Sequence, residues 1–250
     1  MYNPFTLLGK KVLVTGASSG IGRSIAVICS KMGANLVLVG RKEEKLQETI
    51  SLMEGKGHSY FIADLTNRSE IAELVNSFPQ LDGIVYNAGL GSRVPCKQIH
   101  ESDIDSVFNL NVKSPMLLQS EILRQKCLNK NSSIVFIASR AAAYPSIGNA
   151  VYSASKSAII SYSKVLALEL SSRNIRVNSI CPAMVWTDLI TKQLRISVED
   201  LEVSQLKYPL KRYGKPEDVA YLTVYLLSEA SSWMTGSSLD ITGGGEGLLI

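Results

Sequence analysis

The chain has 250 residues, of which 46% are hydrophobic and 19% charged, with a formal net charge of +4. This composition supports a sizeable buried core and argues against disorder. Lys and Arg are scattered, with no run of about 5–8 basic residues, which leaves no case for nucleic acid.

Cys29, Cys96, Cys127 and Cys181 have neither C-x-x-C nor His-partner spacing, so neither a metal site nor a disulfide framework is expected, and a reducing cytoplasm fits. The opening M-Y-N-P-F-T-L-L-G-K-K lacks the basic-then-apolar pattern of a signal peptide, and no apolar run reaches the ~18 residues of a membrane span.

In chain order, Lys11–Thr15, Asn35–Val39, Ser59–Ile62, Gly83–Tyr86, Ser133–Ala138, Arg176–Ile180 and Ser238–Ile241 read as strands. Most are continuous Val/Ile/Leu runs rather than alternating ones, as in a parallel sheet with helices on both faces. Helical periodicity occupies Ile21–Met32, Lys42–Met53, Arg68–Ser77, Glu101–Leu128, Ala150–Ser172 and Pro216–Leu227. Thr66 or Asn67, and Ser102, stand as N-caps. The stretch Thr187–Pro209 holds L-I-T-K-Q-L and V-E-D-L-E-V-S-Q-L, two short helices by pattern. Strict alternation with right-handed crossovers predicts an α/β, doubly wound, Rossmann-type sheet. No linker or repeat divides the chain, so one domain over 1–250 is expected.

Thr15–Gly22 reads T-G-A-S-S-G-I-G between the first strand and the first helix. Gly16, Gly20 and Gly22 permit a tight turn that brings backbone N–H groups to a pyrophosphate, with the positive helix end aimed at it. The spacing differs from G-x-G-x-x-G, but the strand-to-helix context is the one that function requires. A NAD site places an acid at the end of the second strand. Here Gly40-Arg41-Lys42 stands instead, with no carboxylate before Glu43. Arg41 can grip a 2′-phosphate bidentately, with Lys42 as a second charge, so NADP(H) is expected over NAD(H). Asp64, Leu65, Asn87, Ala88 and Gly89 fall at C-terminal strand ends, where open sheets bind ligands. Asp64 and the Leu65 N–H suit an adenine, and the small Ala88-Gly89 suits its ribose.

Tyr152 and Lys156 are four positions apart in Y-S-A-S-K and share a helix face. A free phenol, with a pKa near ~10, relays protons slowly at neutral pH; an adjacent ammonium lowers that pKa. Such pairs are common on helix surfaces, and the surroundings give this one meaning. Ser139 closes the fifth strand and can polarise a carbonyl beside the phenol. Asn111, a poor helix-interior residue, is either functional or kinks its helix; there it can hold a water that resupplies the proton.

These residues, with P-A-M-V-W-T at 182–187, resemble the short-chain dehydrogenases/reductases over essentially the whole chain. The resemblance implies a seven-stranded sheet of order 3-2-1-4-5-6-7 and a catalytic set of Asn111, Ser139, Tyr152 and Lys156. It adds Ser18, Ser19, Ile21, Pro182 and Val185 as cofactor contacts, Thr187 as the residue holding the nicotinamide amide, and 188–208 as a substrate lid. Two residues depart from the family pattern: Tyr86 replaces an Asn, and Ala183 replaces a Gly, so that its turn must avoid a glycine-only angle.

P-L-K-R-Y-G-K-P-E-D-V-A at 209–220 and W-M-T-G-S-S-L-D-I-T-G-G at 233–244 resemble the 3-oxoacyl-(acyl-carrier-protein) reductase branch. That implies an acidic carrier-protein partner and a basic patch near the cleft, for which Arg124, Lys126, Lys130, Arg173 and Arg176 are candidates. The same motifs recur in sugar, steroid and polyol reductases, so an NAD-linked dehydrogenase of that kind stays open, as do a lyase or epimerase and a non-catalytic dinucleotide sensor. A homodimer or homotetramer is expected through Val107, Leu110, Met116, Leu117 and Ile122 on one helix and Val151, Ile159, Val165 and Leu168 on another. Tyr144, Trp186 and Leu189 suggest a pocket that accepts an apolar or ring-shaped substrate.

Overall fold

In the computed structural model, which describes residues 2–187, 190 and 197–245, seven strands follow one another along the chain. They are β1 (Lys11–Thr15), β2 (Asn35–Gly40), β3 (Ser59–Ile62), β4 (Leu81–Tyr86), β5 (Leu128–Ile137), β6 (Arg176–Pro182) and β7 (Ser238–Ile241). All pairings are parallel, in the order β3-β2-β1-β4-β5-β6-β7. The expected topology is the observed one.

Eight α-helices are described: α1 (Gly20–Lys31), α2 (Glu43–Ser51), α3 (Arg68–Asn76), α4 (Glu101–Phe108), α5 (Ser114–Arg124), α6 (Ala150–Leu170), α7 (Val198–Gln205) and α8 (Pro216–Leu227). Successive strand residues point to opposite faces. Val12, Val14, Leu36, Leu38 and Val85 pack under α1 and α8, through Ile25, Ala26, Val219 and Val224. Leu13, Val37, Ile84, Ile134 and Phe136 pack under α3, α5 and α6, through Ile71, Leu118, Ile122 and Ile159. Both faces are covered, which is why the strands read as unbroken apolar runs.

The predicted helix 101–128 proves to be three pieces. Between α4 and α5 the segment Asn109–Lys113 is π-helical, a wide turn often found at functional sites. The helix ends at Arg124, because Lys126 adopts a left-handed φ of 56° and Leu128 pairs with Leu81 in the sheet. β5 therefore starts earlier than its Val/Ile run suggests, across the polar N-K-N-S-S stretch that reads as a loop. Asn131, at φ 61°, takes up the irregularity there. Ser102 is not a cap: α4 begins one residue earlier, and the His100 N–H donates to Asp103 Oδ2 at 2.9 Å. Asn67 does cap α3, accepting from the Ser69 N–H at 3.1 Å. Of the two short helices in 187–209, V-E-D-L-E-V-S-Q is α7. L-I-T-K-Q-L, apart from Ile190, and with it part of the 188–208 lid, lies outside the described residues.

Candidate active site

The strand order reverses between β1 and β4, and a crevice opens at the C-terminal strand ends there, as open α/β sheets dictate. A cavity of about 1300 Å³ fills it. From the glycine loop it is lined by Gly16, Ser18, Ser19, Gly20 and Ile21. From β2 to β4 come Arg41, Asp64, Leu65, Asn87, Ala88 and Gly89; beyond them lie Ser139, Tyr152, Lys156, Pro182, Val185 and Thr187. Two residues singled out from sequence, Gly22 and Asn111, stand behind the lining.

The glycine loop fits a dinucleotide on its own geometry. Gly16 and Gly20 have φ of 65° and 54°, a region that side chains other than glycine's rarely enter. A Cβ on Gly22 would lie 2.2 Å from the Gly16 carbonyl oxygen and 2.4 Å from Asn87 Nδ2. No side chain caps α1 and no acid occupies its first turn, so its positive end faces the cavity, as phosphate binding requires. Gly22→Ala is expected to lower the melting temperature by roughly 2–12 °C, the equivalent of an overpacking cost of about 1–3 kcal/mol in a chain of this size. An unchanged thermal scan would show that the loop can give way.

Sequence reasoning missed the braces behind this loop. Arg23 donates to the Ser18 carbonyl at 2.6 Å and to Thr49 Oγ1 at 3.1 Å, and Thr49 Oγ1 donates to the Ala17 carbonyl at 2.9 Å. Thr15 Oγ1 accepts from the Asn87 and Ala88 N–H groups at 3.0 and 3.1 Å. Asn87 Nδ2 reaches back to the Thr15 and Gly16 carbonyls at 3.2 and 3.1 Å. No sequence spacing marks these pairs, which form only when β1, β4 and α2 assemble.

Arg41 is exposed on the cavity rim. Asp64 is held below the usual carboxylate range by hydrogen bonds from the Thr66 N–H and hydroxyl, with Arg41 adding attraction. Glu43, the nearest acid after β2, accepts from the Tyr60 hydroxyl at 2.7 Å and from Gln47 at 3.3 Å.

At the other end of the cavity, Ser139 and Tyr152 line the wall together, and the Ser139 hydroxyl accepts from the Ala141 N–H at 3.2 Å. Burial pushes the phenol above its ordinary range, and Ser139 pulls the other way. The Lys156 Nζ lies 5.8 Å from the Tyr152 ring centroid and donates to the Ile137 carbonyl at 2.9 Å. Burial lowers Lys156 to about 8.

Because Lys156 is lower in the fold than its ordinary value near 10.5, the unfolded chain holds more protons between those limits, and stability rises with pH through that window. Lys156→Met is therefore expected to have its most favourable stability relative to the parent below pH 8, with the difference shrinking toward pH 10.5. A difference in melting temperature that stays flat from pH 7 to 10 would refute this cost of burial.

Asn111 is tied into the fold through both ends of its amide. Its Oδ1 accepts from the Leu90 N–H at 2.9 Å, and its Nδ2 donates to the Leu90 carbonyl at 2.9 Å and to Ser155 Oγ at 3.0 Å. The side chain thus clamps the loop after β4 to α6. Both sequence readings of this residue meet in the π-helical turn that carries it.

The departures at 86 and 183 are accommodated. Tyr86 turns into the core, stacks on Phe136 with ring centroids 4.7 Å apart and donates to Gln119 Oε1 at 3.0 Å. Ala183 is not among the residues with positive φ. Tyr144 lines the cavity beneath the Arg140 guanidinium, 3.7 Å from its ring centroid, and Arg140 is paired with Asp240 of β7. Trp186 instead packs on Tyr213 and donates to Gln205 Oε1 at 3.1 Å, and Leu189 lies outside the described residues.

The proposed basic patch is not beside the cleft within one chain. Arg124, Lys126, Lys130, Arg173 and Arg176 gather where the chain enters β5 and β6, at the opposite end of the sheet. Arg124 pairs with Glu121, and Arg176 donates to Ser231 Oγ at 2.7 Å and to the Ser228 carbonyl at 3.0 Å. Among the described residues, the cations lining the cleft are Arg41, Arg93, Arg140 and Lys156.

Fold and cavity define a nicotinamide-dependent oxidoreductase. The family model for enoyl-(acyl carrier protein) reductase matches residues 16–246. A 3-oxoacyl-(acyl-carrier-protein) reductase of Rickettsia felis is 33% identical over 238 residues, 95% of this chain and 97% of that protein. A glucose/ribitol-type short-chain dehydrogenase/reductase from Brucella melitensis superposes with a TM-score of 0.88 at 30% identity, over 97% of this chain and 98% of that one. An NADP-bound structure from Beutenbergia cavernae, named a putative NAD(P)-dependent gluconate 5-dehydrogenase, gives 0.86 at 30%, over 97% and 98%. The chain belongs to the short-chain dehydrogenase/reductase family, oxidoreductases acting on alcohol and carbonyl groups with a nicotinamide dinucleotide.

Proposed function

We propose that this chain reduces ketones to secondary alcohols with NADPH, and that its substrates are 3-oxoacyl thioesters of the kind an acyl carrier protein bears. The observation that carries this reading is that Ser139, Tyr152 and Lys156 line one end of a cavity whose other end is a glycine cradle. The bound nicotinamide supplies hydride chemistry. Tyr152 gives its proton to the oxygen of the reacting carbonyl, and Ser139 donates to the same oxygen. Lys156 meets the ribose and returns a proton toward the phenol. Asn111 is a positioning residue, acting through Leu90 and α6. Gly16, Ser18, Ser19, Gly20, Ile21 and Gly22 hold the pyrophosphate, Arg41 the 2′-phosphate, and Asp64 with Leu65 the adenine. Asn87, Ala88 and Gly89 lie along the ribose, and Pro182, Val185 and Thr187 hold the nicotinamide amide.

Following NADPH consumption with 3-oxoacyl thioesters, keto-sugars and steroids tests the reading. Preferred turnover of a keto-sugar with NADH would favour the polyol-dehydrogenase alternative, for which the names of the two solved neighbours speak. Bound dinucleotide without turnover of any ketone would indicate a sensor.

Oligomerisation belongs to the same reading. Of the apolar residues assigned to it, Val107, Ile122, Val151 and Ile159 are core. Met116, Val165 and Leu168 stay exposed, Leu168 at 77%, and exposed apolar residues of this kind mark contact surfaces. A dimer or tetramer in sedimentation, reduced in mass by Leu168→Asp, is the expected result; a monomeric parent would exclude it. Four free thiols fit the cytoplasm, and no helix among the described residues is long and apolar enough to cross a membrane.

A further inference from the structure

We infer that Arg140 is a positioning residue: its side chain, held by Asp240 and Tyr144, anchors the turn that orients the Ser139 hydroxyl. The inference rests on the reductase reading, in which Ser139 donates to the reacting oxygen. Ser139 follows β5 in extended backbone, at φ −166° and ψ 148°, and caps the single 3₁₀ turn Arg140–Ala142. Its Oγ accepts from the Ala141 N–H at 3.2 Å. A hydroxyl has one proton to donate and two lone pairs. With one lone pair engaged by the backbone, the proton serves a substrate oxygen in a direction that the turn sets.

A single 3₁₀ turn has poor hydrogen-bond geometry and does not hold its place by itself. Contacts outside the turn do so. On the α6 side, Ser157 Oγ donates to the Ala142 carbonyl at 3.0 Å. On the other side, the Arg140 guanidinium pairs with Asp240. β6 lies between β5 and β7, and Asp240 stands opposite Cys181 in the β6–β7 register. The Arg140 side chain therefore reaches across a whole strand, a link that the backbone ladder cannot make, and ties the turn to β7.

The guanidinium also lies over the Tyr144 ring, 3.7 Å from its centroid. A planar guanidinium presents its edge to a carboxylate and its face to a ring at once, which an ammonium cannot do. The Tyr144 N–H donates to the Arg140 carbonyl at 2.9 Å, so the stacked ring belongs to the same short loop. The Asp240 side chain is 46% exposed, and a pair of that kind adds little net stability. What it sets is the place of the turn. A misplacement of about 1 Å can lower a rate by roughly 100-fold. Arg140 itself lines the cleft, so direct contact with substrate is the rival that an experiment has to separate.

The experiment compares Arg140→Met and Asp240→Asn with the parent, each with Ser139 intact and in a Ser139→Ala background. Substrates are NADPH with the N-acetylcysteamine thioester of 3-oxohexanoate or with 2-butanone. With Ser139 intact, either variant should lower kcat for both ketones alike, by roughly 10- to 100-fold, with both KM values little changed. In the Ser139→Ala background the further loss should be less than about twofold, because residues that act through one group do not add. Amide hydrogen exchange of segment 139–144, followed by mass spectrometry in the presence of NADP⁺, gives a readout without turnover and should quicken in both variants. Asp240→Asn, milder and half exposed, carries the comparison should Arg140→Met fail to fold. A loss that persists without the Ser139 hydroxyl, one confined to the thioester, or quickened exchange with kcat unchanged would overturn the positioning role. Unchanged exchange would overturn the anchor itself. A parent that turns over neither ketone would count against the reductase reading, and exchange alone would then decide the anchor.

Discussion

Tyr152→Phe is expected to reduce ketone turnover by roughly 100- to 10,000-fold, the usual contribution of a positioned general acid, while dinucleotide affinity changes little. The ring's packing survives the substitution, and only the phenol oxygen is lost. Burial holds the phenol above its ordinary range, so at neutral pH it is protonated and ready to donate. Reduction should accordingly run at a nearly constant rate across neutral pH. Alcohol oxidation needs the deprotonated form and should climb with rising pH. Dinucleotide binding by fluorescence, alongside turnover in both directions from pH 6 to 10, checks each part. Retention of more than about a tenth of the parent rate would remove Tyr152 from the reaction, since that loss is well below the acid–base range.

Arg41→Ala is expected to weaken NADPH binding by about 10- to 150-fold, equivalent to the 1.5–3 kcal/mol of a hydrogen bond to a charged group, with NADH affinity nearly unchanged. Arg41 is exposed at the end of β2, on the rim of the cleft. The nearest following acid, Glu43, is engaged by Tyr60 and Gln47, which leaves no carboxylate after β2 to grip ribose hydroxyls as a NAD site would. Titration of both dinucleotides against parent and variant separates the two outcomes. Equal losses for NADPH and NADH would mean that Arg41 acts on a feature common to both.

The two predictions probe opposite ends of one cavity, and the ends differ in how they are held. The glycine cradle is fixed mainly by backbone geometry and by braces from Arg23, Thr49, Thr15 and Asn87. The Tyr152 end depends on side chains whose ionisation burial has moved, with Lys156 brought down to about 8. Such costs are tolerated at sites where function requires them, and they make the pH behaviour of this end its most direct signature.

The amino-acid sequence by itself determined the alternation of strands and helices, the position of the glycine loop and the placing of Tyr152 and Lys156 on one helix face, while the strand order was implied by the family resemblance. The first three each follow from a local rule: apolar runs broken by helical periods, glycines at a strand-to-helix turn, and two residues one turn apart. What only the tertiary structure decided depends on groups distant in sequence. The π-helical turn exists because Asn111 finds the Leu90 backbone and Ser155 across a gap that no periodicity encodes. The basic residues at 124–130 and 173–176 fall at the far end of the sheet because charge along a chain carries no information about which strand end it will meet. The loops after β4 and before α6 meet through the Val94 N–H and the Gly148 carbonyl, residues far apart in the sequence. Local propensity fixes the elements, whereas solvent exclusion and long-range hydrogen bonds fix the charge state and accessibility of the groups they carry.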